Sequence, residues 1–315
     1  MTRLLALLPL VLAATAGAQT YPTKPVRLIV ASAPGGAPDI LGRAVALKLT
    51  ESLGQQVVVD NRAGASGIIG AELAARSAPD GYTLLLGTTT LNAVLPQLKR
   101  KLPYSTQDFA PISQIAITAN IVVVTASLPA RTIPELIQLA KARPVNYASA
   151  GNGTPAHLAG EMLNLMGGIR MAHIPYKGAG PALTDVIAGQ VQLLITSPIA
   201  AMPHVQTGKL RALATSGAKR NPALPDLPAV AETLPGYEIT QWWGLLAPAR
   251  TPQPVLARLH ADTARAVAAP DVREKITAQG ATAVGNTPQE FAAFMAAEIT
   301  RLANLIRQAG IPVED

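Results

Sequence analysis

Two stretches hold residue types suited to grip a small charged molecule: "ASAPGGAPDI" at 31–40 and "ASAGNGTPAHL" at 148–158. Each follows a short apolar run, passes through glycines and reaches a proline that opens a helical pattern. Glycines 35, 36, 151 and 153 remove side chains where a ligand would approach the backbone. Pro38 and Pro155 suit the first position of a helix, whose N–H is unpaired in any case. The N–H groups of a first turn carry the positive end of the helix dipole and make a ready anion site. Thr154 is a natural N-cap and Ala37 is not, which leaves the first helix start open to an external acceptor. Neither turn fits G-x-x-x-x-G-K-[ST] or G-x-G-x-x-G, and no catalytic lysine follows, so a carboxylate suits these turns better than a nucleotide.

Other chemistries find little support. The four histidines (157, 173, 204, 260) show neither the H-E-x-x-H nor the H-x-H spacing of a metal site. The sequence has no cysteine, hence no disulfide, thiolate ligand or lipid-anchor thiol. "GASG" at 64–67 comes nearest to a nucleophile elbow but lacks its pattern and reads as a turn. Asp39 falls in a first helical turn, where it complements the dipole; nothing pairs it with Asp185 as acid and base. No cofactor is required.

The elements that must position these turns alternate strand and helix. "VRLIVA" (26–31) is a continuous apolar, partly β-branched run, as in a buried parallel strand. A helical pattern follows to Gly54, then strand 56–60, the turn "NRAGASG", a helix through "IIGAELAARS" and strand 82–87. A second series runs from "IVVVTAS" (121–127) through helix "TIPELIQLAKAR" with Thr132 as N-cap, strand "VNYASA" and helix "PAHLAGEMLNLMG". Strand 171–176, helix "GPALTDVIAGQ", strand 191–197 and a helix into "LRALATSG" complete it. A proline-dense connector at 220–236 breaks the rhythm; strand "ITQWWGLLAPA", a helical region 252–279, strand "TAVG" and a terminal helix follow. Repeated βαβ units predict an α/β protein with two doubly wound lobes. Lobe 1 is expected over 19–122 plus 238–315, lobe 2 over 123–237. Two chain crossings between lobes make a hinge, and the ligand is expected beyond the carboxyl ends of the strands, in a closable cleft.

Length and charge agree. A chain of 315 residues, 49% hydrophobic and 14% charged, can bury two cores. The net charge of +7 is scattered, with "LKRK" (98–101) its densest run, and aromatics make up 3%. Single-stranded nucleic acid, which needs stacking platforms and a basic groove, is therefore not an expected partner. Residues 1–18 read as a secretory signal: Arg3, the apolar "LLALLPLVLAA", and "AGA" before a cleavage point after Ala18. Together with the lack of a later long apolar run, this points to a soluble protein in a bacterial periplasm, expected to be a monomer.

The segments "YPTKPVRLIVASAPGGAPDILGRAVALKL", "VVVDNRAGASGIIGAELAARSAPDGYTLLLGT", "YASAGNGTPAHLAGEMLNL", "IPYKGAGPALTDVIAGQVQ" and "GKLRALATSGAKRNPALPDLPAVAE" strongly resemble the Bug family, the periplasmic solute-binding proteins of tripartite tricarboxylate transporters. The resemblance runs from about Tyr21 almost to the C-terminus. It implies a type II periplasmic-binding-protein fold that closes on a carboxylated small molecule and docks on integral-membrane permease subunits. It further implies that Ser32, Ala33, Pro34, Gly35, Gly36 and Asp39 grip a ligand carboxylate together with Ala150, Gly151, Gly153, Thr154 and His157. Thr88, Thr89, Lys177, Gly178 and Ser197 are implied as members of the cleft rim. One departure stands out: the family usually reads Pro-Phe-x-Pro-Gly-Gly at the first turn, and here Ala31-Ser32 replaces Pro-Phe. Losing the aromatic adds space and a hydroxyl, which implies a larger or more polar ligand. One carboxylate shared by both turns and two carboxylates held apart are equally compatible with these residues. An exported sensor subunit signalling to a membrane kinase would use the same cleft, as would a periplasmic enzyme, although the nucleophile and metal motifs of an enzyme are missing.

Overall fold

A computed structural model describes residues 21–278, 280–308 and 313. The signal segment 1–18 lies outside the described residues.

Along the chain, β1 (Val26–Val30) leads to α1 (Ala37–Leu53), β2 (Val57–Asn61), α2 (Ile68–Ala75) and β3 (Thr83–Thr88). A π-helical turn at Thr90–Val94 and the short α3 (Leu95–Leu98) precede β4 (Phe109–Ala119) and β5 (Ile121–Thr125). Then come α4 (Ile133–Ala142), β6 (Asn146–Ser149), α5 (Pro155–Gly167), β7 (Ala172–Pro175), α6 (Ala179–Ile187), β8 (Leu193–Thr196), α7 (Pro198–Gln206) and β9 (Leu210–Thr215). The last elements are β10 (Thr240–Pro248), α8 (Gln253–Ala268), α9 (Pro270–Thr277), β11 (Thr282–Ala283) and α10 (Pro288–Gln308).

The strands form two sheets, β11-β4-β10-β3-β1-β2 and β7-β6-β8-β5-β9. β1 pairs in parallel with β2 and β3, and β6 with β7 and β8, as the apolar runs and intervening helices dictate. Antiparallel strands then enter each sheet: β10 beside β3 and β4, and β5 beside β8 and β9. β4 and β5 belong to different sheets, so the first crossing falls at Asn120. The return crossing falls between β9 and β10. Each sheet carries apolar side chains on both faces. Leu28, Val45 and Trp243 lie on one face of the first sheet, with Ile29, Leu85 and Phe291 on the other; all are buried.

Three readings of the sequence need correction. β4 has no counterpart in the predicted elements: "FAPISQIAITA" contains Pro111 and buried Ser113 and Gln114, and two register shifts against β10 blur any alternation. "LRALAT" is strand β9 rather than the continuation of a helix, because Gly208 takes φ +71° just after α7 and ends it. The tail 238–315 does not serve lobe 1 alone. α10 begins with Phe291 against the first sheet and ends with Leu302 and Ile306 in the core of the second. The expected boundaries, 123 and 237, fall inside β5 and just before β10.

Several local expectations hold. Thr132 caps α4 by accepting from Glu135 N, and Thr154 caps α5 by accepting from His157 N. Gly54 ends α1 in the left-handed conformation at φ +68°. Among the described residues, no helix is long and apolar enough to cross a membrane.

Candidate ligand-binding cleft

Between the sheets lies a cleft of about 800 Å³, counted out to open solvent. Five helices of eight residues or more begin on its walls. Ala37 and Pro38 of α1 and Gly67 at the start of α2 come from the first lobe; Thr154 and Pro155 of α5, Gly178 and Ala179 of α6, and Ser197 of α7 come from the second. Each follows a strand, so the dipole geometry of a single βα turn is repeated from five directions. Ser197 and Thr154 side chains cap α7 and α5, whereas α1, α2 and α6 receive no side-chain cap. An anion in the cleft thus meets the starts of α1 and α6, where no side chain among the described residues caps the first turn, while at α2 the preceding turn already takes Gly67 N and Ile68 N. Among the described residues lining it, Lys177 is the one charged side chain.

The two quoted turns do not meet one another. The first turn packs against the "YKGAG" loop of the second lobe, where Ala33 N donates to Lys177 O at 3.0 Å. A Cβ placed on Gly180 would stand 2.1 Å from Pro34 O, and one on Gly35 would stand 3.5 Å from Gly180 Cα. The second turn packs against the first lobe elsewhere: Gly151 faces Ser66 Oγ, and Gly153 faces Leu95 and Leu98. The lobes are therefore in contact on both sides of the cleft. The turn glycines thus allow a close approach of lobe to lobe.

Of the residues singled out from the sequence, Ser32, Thr88, Thr89, Ala150, Thr154, Lys177, Gly178 and Ser197 line the cleft. Gly35, Gly36, Gly151 and Gly153 do not line it, and neither do Ala33 and Pro34. Asp39 lies behind the first turn. Its Oδ2 accepts from Gly35 N at 3.1 Å, and its Oδ1 accepts from Arg43 Nε at 2.9 Å and Asn61 Nδ2 at 3.1 Å. Burial pushes this carboxyl up, but the bonds from Arg43, Gly35 and Asn61 outweigh it and hold the group below the ordinary aspartate range. Asp39 is thus an anionic peg that fixes the shape of the turn.

His157 likewise acts from behind. Its Nδ1 accepts from Gly153 N at 3.2 Å, and its ring stacks on His173 at 4.2 Å between centroids. His173 Nε2 lies 2.6 Å from Ser149 Oγ, which also accepts from Gly151 N. The second turn is therefore built on a histidine pair. Burial, and next the neighbouring His157, pull the His173 pKa down from 6.5 to about 4. An unfolded chain then binds more protons than the folded one between these values, so stability is lost as pH falls from about 6.5 towards 4. We expect the melting temperature to decline over that window, and to decline less steeply in His173→Gln. Equal slopes in the two proteins would remove His173 as a source of the acid sensitivity.

The structure also brings in residues the sequence reading passed over. "GASG" lines the cleft through Gly64, Ser66 and Gly67. All four of its residues have positive φ: 134°, 46°, 55° and 96°. For Ala65 and Ser66 this costs on the order of 1 kcal/mol each, strain of the kind that accumulates where a loop is shaped for function. Asn120, Gln241, Trp242 and Trp243 line the cleft near the crossings. The β10–β3 register sets Trp243 opposite Thr88, and Trp242 N donates to Thr89 Oγ1 at 2.8 Å. Three lining residues carry a buried polar atom with no partner among the described residues: Ser32 Oγ, Asn120 Nδ2 and Trp242 Nε1. Buried polar atoms left this way are rare in folded proteins and are commonly met by water or by a bound group. For Ser32→Ala we expect stability within about 0.5 kcal/mol of the parent protein, because no internal bond is lost. The affinity for an acid ligand should fall roughly 3- to 10-fold, the worth of one hydrogen bond. Unchanged affinity would show that the hydroxyl does not face the ligand.

Comparison with known proteins gives one consistent result. The family described as tripartite tricarboxylate transporter family receptor matches residues 41–311. Protein BugT of Bordetella pertussis is 39% identical over 321 residues, covering 98% of this chain and 98% of its own. Rpa4515 of R. palustris, solved with adipate, superposes with a TM-score of 0.89 at 36% identity over 93% of this chain and 99% of its own. MatC from Rhodopseudomonas palustris, solved with bound malate, gives a TM-score of 0.86 at 29% identity over 91% of this chain and 100% of its own. The two sheets and the cleft between them are those of a two-lobed periplasmic binding protein, and the chain belongs to the receptor family of the tripartite tricarboxylate transporters.

Proposed function

We propose that this protein is an extracytoplasmic receptor that captures a small carboxylate in the cleft and delivers it to the membrane permease of a tripartite tricarboxylate transporter. The observation that carries this reading is the convergence of five helix N-termini on one cleft with a single lysine at its wall. Backbone N–H groups and helix dipoles stabilise a carboxylate without a buried counter-charge, and no acidic side chain among the described residues lines the cleft to repel one. Adipate and malate in the solved relatives fit the same chemistry.

The two crossings at Asn120 and before Thr240 act as the hinge between the lobes. The contacts Ala33–Lys177, Pro34–Gly180 and Ser66–Gly151 belong to the closed form. Opening separates these backbone contacts, and a carboxylate bound to first-turn N–H groups of both lobes favours the closed form. The protein works as a monomer in the periplasm after loss of residues 1–18, and binds without converting its ligand.

The test is a thermal-shift screen against mono- and dicarboxylates, with calorimetric titration of every hit. At a ligand concentration 100 times Kd, binding to the folded form adds about 2.7 kcal/mol, which raises the melting temperature by roughly 5 °C or more. The recovered acid should be chemically unchanged. A broad panel of acids that never shifts the transition would contradict the receptor reading.

A further inference from the structure

The hinge end of the cleft is as distinctive as its mouth. Asn120 sits at the first crossing, fully buried, and its polar atoms tie both crossings together. Its N donates to Ser216 Oγ at 2.8 Å, and its carbonyl accepts from Ser216 N at 2.7 Å and Thr215 Oγ1 at 3.2 Å. Ser216 Oγ in turn donates to Ile239 O at 2.5 Å, just before the returning strand β10. Asn120 Oδ1 accepts from Gln241 Nε2, which orients the amide and leaves Nδ2 with no partner among the described residues. Both Asn120 and Gln241 line the cleft. Their neighbours there are Thr196, which ends β8 opposite Ile121, and Trp242, whose buried indole Nε1 is likewise unpartnered.

This end of the cleft offers donors and no charged side chain. We infer that Asn120 is a specificity-determining residue: its Nδ2 donates to a second oxygen acceptor of the bound acid, carried at the end that lies by the two crossings and the start of α7, away from α1 and α5. The inference rests on the receptor reading and narrows its substrate class to acids with a second oxygen function, a carboxylate or a carbonyl, rather than a methyl end. An alkyl terminus would leave the buried Nδ2 unsatisfied, a penalty that sites built for a hydrogen bond impose on analogues lacking it. Because the other polar atoms of Asn120 hold both crossings, this contact places the ligand directly on the hinge.

The test uses the full mature chain and matched straight-chain acids of four to eight carbons. At each length the set is the methyl-ended monoacid, the dicarboxylate and its monoamide, titrated by calorimetry at pH 8. The parent protein should favour an oxygen-ended acid over the methyl-ended acid of the same length by at least tenfold. Asn120→Asp keeps the acceptor for Gln241 but replaces the donor with an acceptor, and should cut that preference to less than threefold. Asn120→Ser, which removes the amide altogether, serves where the acidic variant does not fold. A purely structural role would weaken all three ligands alike and leave their ratios unchanged, which would overturn the proposal. Equal affinity of the parent protein for methyl-ended and oxygen-ended acids at every length would do the same. If no acid binds the parent protein at all, the receptor reading itself fails, and this inference falls with it.

Discussion

Gly180→Ala should leave the unliganded protein folded and abolish tight binding. Gly180 lies in the first turn of α6, without a positive φ, so alanine suits its backbone and favours the helix. The obstacle is across the cleft. The new methyl would stand 2.1 Å from Pro34 O and 3.2 Å from Pro34 C, backbone atoms of the opposite lobe. Nothing within α6 has to move if the lobes stay apart, so stability should change by no more than about 1 kcal/mol. Closing on a ligand would drive the methyl into the Pro34 carbonyl and break the Ala33–Lys177 bond. We expect affinity for any acid that binds the parent protein to fall at least 30-fold, about 2 kcal/mol. Calorimetric titration beside a melting curve checks both halves. An unchanged affinity would show that the bound state does not use this contact.

The second large effect is on stability. Gly160 lies on α5 where the helix crosses Tyr147 of β6, and a Cβ there would stand 2.2 Å from Tyr147 Cε2 and 2.4 Å from Cζ. Tyr147 cannot yield easily: it is fully buried, its hydroxyl donates to Glu161 Oε1 at 2.5 Å, and its ring stacks on His173. Gly160→Ala should therefore cost about 2–3 kcal/mol despite the better helix propensity of alanine, lowering the melting temperature by roughly 5–10 °C. Any displacement of α5 also shifts its N-terminus at the cleft, so ligand binding should weaken in parallel. A melting temperature at or above that of the parent protein would mean that the helix can slide off the ring at little cost.

The contrast between these two glycines shows what was legible in the sequence. Gly35, Gly36, Gly151 and Gly153 signal a close backbone approach, and the pattern around them locates the turns correctly. It does not say what approaches; the other lobe stands against all four. Gly180 and Ser66, which complete those contacts, sit in different segments whose meaning depends on how the lobes meet. Helix starts and ends were readable because capping is local: Thr132, Thr154 and Gly54 each act within four residues of their partners. Strand β4 was not, since its pairing with β10 spans more than a hundred residues and its pattern is broken by bulges.

Asn120, Gln241 and Trp242 are silent in the sequence for the same reason. Asn120 and Gln241 are 121 positions apart and gain their role only where two crossings bring them together. The signal available was a polar residue between two apolar strand runs, which by itself reads as a loop. "GASG" reads as a turn, but its place in the cleft wall follows from the β1–β2 pairing and not from its own residues. The Ala31-Ser32 departure, by contrast, was visible at once, and Ser32 does carry an unpartnered hydroxyl at the cleft.

The central claim is that backbone N–H groups at the helix starts of both lobes hold the carboxylate of a small acid. A crystal structure of the protein with the tightest acid from the titrations tests it most directly. We expect a carboxylate between α1 and α5, accepting from first-turn N–H groups directly or through an ordered water, with the Ala33–Lys177 and Ser66–Gly151 contacts closed. A carboxylate bound away from those helix starts, or one paired chiefly with Lys177 at the cleft wall in lobes that stand apart, would contradict it.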